Sequence, residues 1–465
     1  MVTIDTPSPT SSLYRVVWRW HFLAGLAVLP FLVLLAVTGG VYLFKAELDH
    51  LAYASLEDVE PAPASANLAI VIDSTEAETG GQVLALTLPE RDDRAVRMIV
   101  RAPDGQSLTA FADPHTGAYR GATSYGGIMQ TIRKLHSLQL FGFWATALIE
   151  ITAGWVIVLV ITGVILWWPR GRKGGVLTIR GAPAKRVFWR DIHAVTGVFA
   201  GAIVLFLAVT GMPWSQVWGD QVQRWTTEAN LGQPSPPAET VPAWKLSNPV
   251  SPGSEGGGAT TGHHHGQQDK AADLPWALDA AAAPSSTAGG ISTIDIDQAV
   301  RLVAASGLPR PYTLTLPSGP KGAWVAAYNP DQVERTRTLY LDQFDGHVLG
   351  DIRFADYGPA AKAIEWGIAV HQGQEYGGLN RYLMLAGCIA IVLLAISSVT
   401  MWWKRKPKGR VGVPPLRRDE GAARAAAVCL LIGGVIFPLL GITVLAAIII
   451  EWLIAGASGL RPRNR

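Results

Sequence analysis

Cysteine is nearly absent: Cys388 and Cys429 are the two in 465 residues, and both lie inside long apolar runs. That excludes a disulfide framework, a thiolate zinc site and covalent C-x-x-C-H haem attachment, so any cofactor must be held without sulfur links. Charge is scarce as well, at 16% of residues against 49% hydrophobic, a balance shifted away from soluble proteins. Nucleotide signatures are missing too. There is no Walker A sequence, no G-x-G-x-x-G after a strand and no HExxH. With no nucleotide or flavin fingerprint in its short loops, the chain is not expected to take hydride from NAD(P)H itself. Electrons would come from a quinol or from a separate cytoplasmic reductase, and no nucleic-acid partner is expected.

What is abundant is apolar sequence in blocks. A window of about 19 residues finds five spans, Phe22–Phe44, Gly142–Trp168, Ala194–Trp214, Leu379–Trp403 and Ala425–Ile454, each long enough for a hydrocarbon core of ~30 Å. Trp18, Trp20, Trp167, Trp168, Trp189, Trp214, Trp402 and Trp403 mark their ends, where an indole keeps its ring in lipid and its N–H wet. The loops 169–192 and 404–424 are strongly basic and therefore expected in the cytoplasm, with the N-terminus inside and the large loops periplasmic. An odd fifth span then places Arg461, Arg463 and Arg465 outside, against that rule. The first span is longer than the apolar region of a signal peptide and lacks an A-x-A-like site, so it reads as an anchor.

The chain is an internal duplication. VVWRWHFLAGLAVLPFLVLLAVTGGVYLF (16–44) and VFWRDIHAVTGVFAGAIVLFLAVTGMPWS (187–215) align at one constant offset, His21 on His193, Gly25 on Gly197 and the block 36–39 on 208–211. At a second constant offset His136 falls on His371, Gly142 on Gly377 and Trp167-Trp168 on Trp402-Trp403. Each half reads helix, extramembrane segment, helix. In the extramembrane segments QVLALTLP, AVRMIVR and SLTAFADPHTGAYRG predict strands, as do YTLTLP, AWVAAY and TLYLD, while IDIDQAVRLVAASG has helical periodicity. Asp113…Gly117 and Asp342…Gly346 predict hairpins in which the aspartate bonds the turn and the glycine takes positive φ. A Pro/Gly/Ala/Ser-rich stretch, 231–290, reads as a disordered linker.

The expected organisation is a cytoplasmic N-terminus and first span (1–44), a first periplasmic domain (45–135), a second span (136–168), a basic loop (169–192) and a third span (193–214). A second periplasmic domain (215–370), a fourth span (371–403), a second basic loop (404–424) and a fifth span (425–454) follow. The fold class is thus a membrane protein, an all-α transmembrane bundle of about five helices with two extracytoplasmic α+β domains.

Four of the five spans carry a histidine near a membrane face. His21 and His193 begin helices running outward and share the cytoplasmic face; His136 and His371 precede helices running inward and share the outer face, with a place inside or above the hydrocarbon both left open for the latter pair. Two imidazoles facing each other across a bundle suit axial ligation of one haem b iron through Nε2 on each side, and two such bis-His haems would make a transmembrane wire. A lone interfacial histidine is otherwise a snorkelling polar residue. Arg19, Arg190, Arg133, Lys134 and Arg381 lie close in sequence to the four histidines and would suit haem propionates, though the positive-inside rule explains the inner ones equally well. Glycines 25, 39, 197 and 211 serve either a porphyrin face or helix packing. His263-His264-His265 reads as solvated linker, Glu150 as an ionisable group hydrated at the outer end of its span, and His50, His115 and His347 as surface residues. No catalytic side chain is singled out.

WRWHFLAGL, WRDIHAVTG, LHSLQLFG, VHQGQEYG and the two Asp-x-x-x-Gly hairpins together resemble the PepSY-associated transmembrane proteins, over nearly the whole chain. The resemblance implies PepSY-like periplasmic domains and, as in ferrioxamine-type reductases, a haem-bearing bacterial inner-membrane reductase of ferric siderophores. The expected partners are then a ferric siderophore, membrane lipid and the electron donor. A non-enzymatic membrane regulator whose PepSY domains bind a peptide or protease, and a siderophore or iron permease, are the competing readings.

Overall fold

The structure, a computed structural model, describes residues 9–169, 176–232, 240–242, 274–279, 282–286, 292–406, 412 and 420–457. The chain forms two compact units. The helical unit comprises residues 1–43, 134–222 and 381–465, and the sheet unit 44–133 and 223–380. His263–His265 and most of the expected linker lie outside the described residues, but its described pieces are ordered rather than disordered: Trp276–Asp279 is a short helix with Trp276, Ala277 and Leu278 buried, and Thr240–Pro242 pairs with Ala282–Pro284.

After α1 (Pro9–Tyr42), the first extramembrane segment contributes to the sheet unit helices α2 (Lys45–Glu57) and α3 (Leu68–Thr79), and strands β1 (Gln82–Leu88), β2 (Val96–Arg101), β3 (Ser107–Ala112) and β4 (Tyr119–Ser124). The second segment contributes α8 (Ile296–Ala305), β5 (Tyr312–Thr315), β6 (Ala323–Tyr328), β7 (Arg337–Asp342), β8 (Val348–Arg353) and α9 (Pro359–His371). The expected strands and the α8 helix are thus present. Their pairing was not foreseen. All eight strands form one sheet in the order β8-β7-β6-β5-β1-β2-β3-β4, so the two segments share a sheet where sequence reading expects two domains. The junction joins equivalent strands: the ALTLP of β1 lies antiparallel to the TLTLP of β5, Leu86 opposite Leu314 and Thr87 opposite Thr313, with the two threonine hydroxyls 3.0 Å apart. Each repeat thereby covers the other's first strand, leaving β4 and β8 as the edges.

Alternation along the strands sends Val96, Met98, Val100, Leu314, Leu339 and Leu341 to one face, where Val71 of α3 and Ala299 and Val303 of α8 seal a single core. Each such Val or Leu contributes about 1.5–3 kcal/mol by leaving water. Both Asp-x-x-x-Gly hairpins form as expected. Asp113 Oδ1 accepts from the His115 and Thr116 amides, Asp342 Oδ1 from the Phe344 amide, and Gly117 and Gly346 take φ of 74° and 76°.

The helical unit holds α1, the end of α4 (Gly127–His136) from Lys134, α5 (Phe143–Trp167), α6 (Arg186–Gly211), α7 (Val217–Glu228) as far as Val222, α10 (Gly377–Arg405) from Arg381, α11 (Glu420–Ile436) and α12 (Pro438–Ala457). Among the described residues four helical stretches are long and apolar enough to cross a membrane: Tyr14–Tyr42, Phe143–Trp167, Arg186–Trp214 and Gly377–Arg405. They correspond to the first four expected spans. Trp155 anchors one core, stacking on Trp20 at 6.0 Å and donating from Nε1 to Thr443 Oγ1 at 3.0 Å, within a cluster of Ala24, Val28, Val158, Leu440 and Val444. A second cluster joins Ala36, Val156, Ala200, Val204, Cys388 and Ile391.

The fifth expected span, 425–454, is not one helix. Pro438 removes an amide donor and ends α11, and the chain folds back so tightly that a Cβ on Gly434 would lie 2.3 Å from the Gly441 Cα. Only two glycines allow that approach. The result is a hairpin of α11 and α12, which removes the reason to count 425–454 as a single crossing, the assumption that set the C-terminal arginines against the positive-inside rule.

Candidate functional site

His21 lies more than three turns inside α1 and His193 about two turns inside α6 rather than at the helix mouths, because these helices begin well before them, at Pro9 and Arg186. The structure brings these two together. Their ring centroids are 6.4 Å apart with planes at 87°. Two imidazoles sharing one metal through bonds of about 2 Å would have centroids roughly 6 Å apart, so the separation is compatible with one metal held by both residues.

The Nδ1 of each ring is turned to a neighbouring helix. His21 Nδ1 lies 2.8 Å from Thr162 Oγ1, and the Thr162 hydroxyl donates its own proton to Val158 O at 2.7 Å. With the hydroxyl proton placed on that carbonyl, Thr162 accepts and His21 is the tautomer protonated on Nδ1. His193 Nδ1 faces Leu394 O at 3.3 Å, Ser397 Oγ at 3.1 Å and Ser398 Oγ at 3.2 Å; the carbonyl only accepts, and the tautomer protonated at Nδ1 is the one that uses all three oxygens. Both keep the Nε2 lone pair for a metal, the tautomer usual in ligating histidines. Gly163 makes room for the first ring, since a Cβ there would sit 3.4 Å from His21 Cε1.

His136 ends α4, and it packs on α1 one turn before that helix ends. Its Nδ1 is 2.8 Å from Thr38 Oγ1, which donates to Leu34 O at 2.6 Å, so the same tautomer holds. A Cβ on Gly39 would lie 3.3 Å from its Cε1. His136 is therefore level with the last turn of a helix long and apolar enough to cross a membrane. His371 belongs to the sheet unit, half-buried at the end of α9. Its turn repeats that of His136 in backbone: Leu138 and Gly373, equivalent positions, take φ of 55° and 73°, and the equivalent Gly142 and Gly377 take 84° and 60°. Asn380 Nδ2 closes the second turn by donating to Val370 O at 2.9 Å.

The cationic residues divide. Arg190 is committed to Asp191, with Nε and Nη2 3.0 and 2.5 Å from Oδ1, and Arg180 grips the other oxygen from Nε at 2.9 Å. Asp191 is fully buried, so the Arg190 guanidinium is occupied there, although one carboxylate shared with Arg180 leaves the cluster net positive. Arg19 lies half-buried on α1, Arg133 and Lys134 half-buried on α4, and Arg381 half-buried on the first turn of α10. Gly25 and Gly197 face Leu159 and Leu394 at van der Waals distance, which is helix packing.

Glu150 is buried rather than hydrated, and accepts from the Val217 and Trp218 amides at 3.0 and 3.2 Å. It caps the N-terminus of α7, where a carboxylate meets the helix dipole favourably. In the sheet unit His50 takes a bond from Arg94 at 2.8 Å, and His115 bridges the Ala64 and Asp92 carbonyls. Among the described residues Asp342, Asp345 and His347 bring three ligand-type atoms within 4.8 Å of one another, but their atoms already serve the hairpin, His347 Nδ1 bonding Asp345 Oδ1 at 2.6 Å.

Sequence reading missed Thr162, Thr38, Ser397 and Asp191. A hydroxyl in a spanning helix usually satisfies itself on its own backbone, and nothing in the local sequence announces a second partner.

The family model described as the PepSY-associated TM region matches residues 18–405. No curated protein matches the chain.

Proposed function

We propose, from the premise that this chain belongs to the PepSY-associated transmembrane family, a di-haem b oxidoreductase of the bacterial inner membrane that passes electrons outward to reduce a ferric siderophore. The observation that carries this reading is the His21–His193 pair, facing rings at 6.4 Å with Nδ1 of each engaged elsewhere. Such a donor set fits haem iron: two neutral imidazoles, each with one nitrogen hydrogen-bonded and the other free to coordinate. Haem bound there would supply a one-electron Fe(III)/Fe(II) couple.

The chain's own residues supply the rest. α1 and α6 carry the two imidazoles, and each ring is held through Nδ1 by a neighbouring helix. Apolar clusters pack these helices against their neighbours. The second haem is assigned to His136 and His371 on the repeat, which makes them equivalent, and on the positive-inside rule, which puts both on the outer side. An electron delivered there would convert a chelated Fe(III) to Fe(II), which hard oxygen ligands hold less tightly, so the metal is released with the chelator intact. The electron enters from a quinol or a cytoplasmic reductase.

Chemically reduced protein in sealed, oriented vesicles should be reoxidised rapidly by ferric siderophores added to the outer face. Reoxidation by none of several ferric chelates, with a two-haem spectrum intact, would rule out ferric reduction.

A further inference from the structure

We propose that Thr162 and Ser397 are positioning residues, a duplicated pair of hydroxyls that orient His21 and His193 and set the electron density these imidazoles give to haem iron. This rests on the haem reading above. The offset that carries His136 onto His371 also carries Thr162 onto Ser397, in the aligned stretches LVITGVILWW (159–168) and LAISSVTMWW (394–403). The other offset carries His21 onto His193. Each bond therefore joins a residue of one repeated helix to a residue of another, and both copies keep it: 2.8 Å from His21 Nδ1 to Thr162 Oγ1, and 3.1 Å from His193 Nδ1 to Ser397 Oγ.

A hydroxyl present merely to satisfy its own helix would have no reason to retain this contact through change. Change has occurred. Threonine has become serine, and the backbone contacts differ: the first hydroxyl meets Val158 O, four residues back, at 2.7 Å and Leu159 O, three back, at 3.2 Å, while the second meets Leu394 O, three back, at 3.0 Å. What persists is an oxygen against Nδ1. An acceptor on Nδ1–H makes the imidazole a stronger σ-donor through Nε2, which favours the ferric state and lowers the potential, besides locking the ring's rotation.

Purified Thr162→Val and Ser397→Ala proteins, with Thr162→Ser as the conservative control, test this by haem content and redox titration. In Thr162→Val one haem should titrate at a more positive midpoint potential and be held about 10–100-fold less tightly, while the other haem keeps its wild-type potential. Thr162→Ser should restore both properties. Ser397→Ala, which removes a single oxygen and leaves the fold undisturbed, should shift the same haem in the same direction by less, because Leu394 O and Ser398 Oγ still face His193 Nδ1. A wild-type preparation without haem would overturn the functional reading underneath. Wild-type haem together with unshifted potentials in both variants would overturn this inference alone.

Discussion

The two copies of the membrane repeat keep the same hydroxyl and differ at the residue after it. In the first copy that residue is Gly163, and the His21 ring lies directly against its backbone. In the second it is Ser398, whose Oγ adds another acceptor 3.2 Å from His193 Nδ1. His21 is thus fixed by one hydroxyl and close packing, His193 by three oxygens on one helix. Duplication preserved the histidine and its first acceptor, and the copies then found different ways to hold the ring. The feature under constraint is the ring's orientation, not the identity of its surroundings.

The largest effect on this comparison should come from forcing bulk into the tight copy. Gly163→Val puts methyls where a Cβ alone already stands 3.4 Å from His21 Cε1; overpacking of this kind costs about 1–3 kcal/mol. The His21 ring should be displaced, one haem lost, and the melting temperature in detergent lowered; unchanged haem content would show that the ring does not depend on that face. A smaller effect is expected from making the second copy resemble the first. Ser398→Gly removes one of three acceptors, so it should cost no more than about 0.5–1 kcal/mol and leave haem content intact; loss of haem would mean that Ser398, not Ser397, is the residue that matters.

The smallest effect lies in the sheet unit, where the two equivalent hairpins also differ. His115 bridges two carbonyls, Ala64 O at 3.0 Å and Asp92 O at 2.8 Å, and these bonds raise its pKa above the ordinary value. His347 instead bonds Asp345. A raised histidine stabilises the fold fully below its unfolded value of about 6.5 and loses that contribution as pH climbs through the raised folded value. His115→Gln should therefore narrow the gap in melting temperature from wild type as pH rises from 6 toward 8. A gap that stays constant across that range would show that the charge is not what matters there.

Much of this architecture is written locally. The four spanning helices, the strands, the α8 helix and both Asp-x-x-x-Gly turns follow from hydropathy, alternation and turn chemistry, and the His21–His193 pairing follows from the repeat combined with the positive-inside rule. What escaped was nonlocal, or ambiguous in composition. The joining of β1 to β5 depends on which of several exposed edges meet, and no single strand encodes that choice. Hydropathy does not distinguish a straight apolar helix from a hairpin, although Gly433-Gly434, Pro438 and Gly441 spelled the reversal out. Asp191 looked like one acid in a basic loop, while in the fold it is the buried centre to which Arg180 and Arg190 converge. Thr162 and Ser397 were visible as aligned residues five before the paired tryptophans, but only the packing of α5 on α1, and of α10 on α6, tells that they touch histidines.

The central claim is that His21 and His193 hold one group between them. Haem content and redox titration of His21→Ala and His193→Ala, each purified from haem-replete cells, test it most directly. The account predicts that each variant retains about half the wild-type haem and that the same redox transition disappears from both. Retention of both haems in either variant, or loss of a different transition in each, would contradict it.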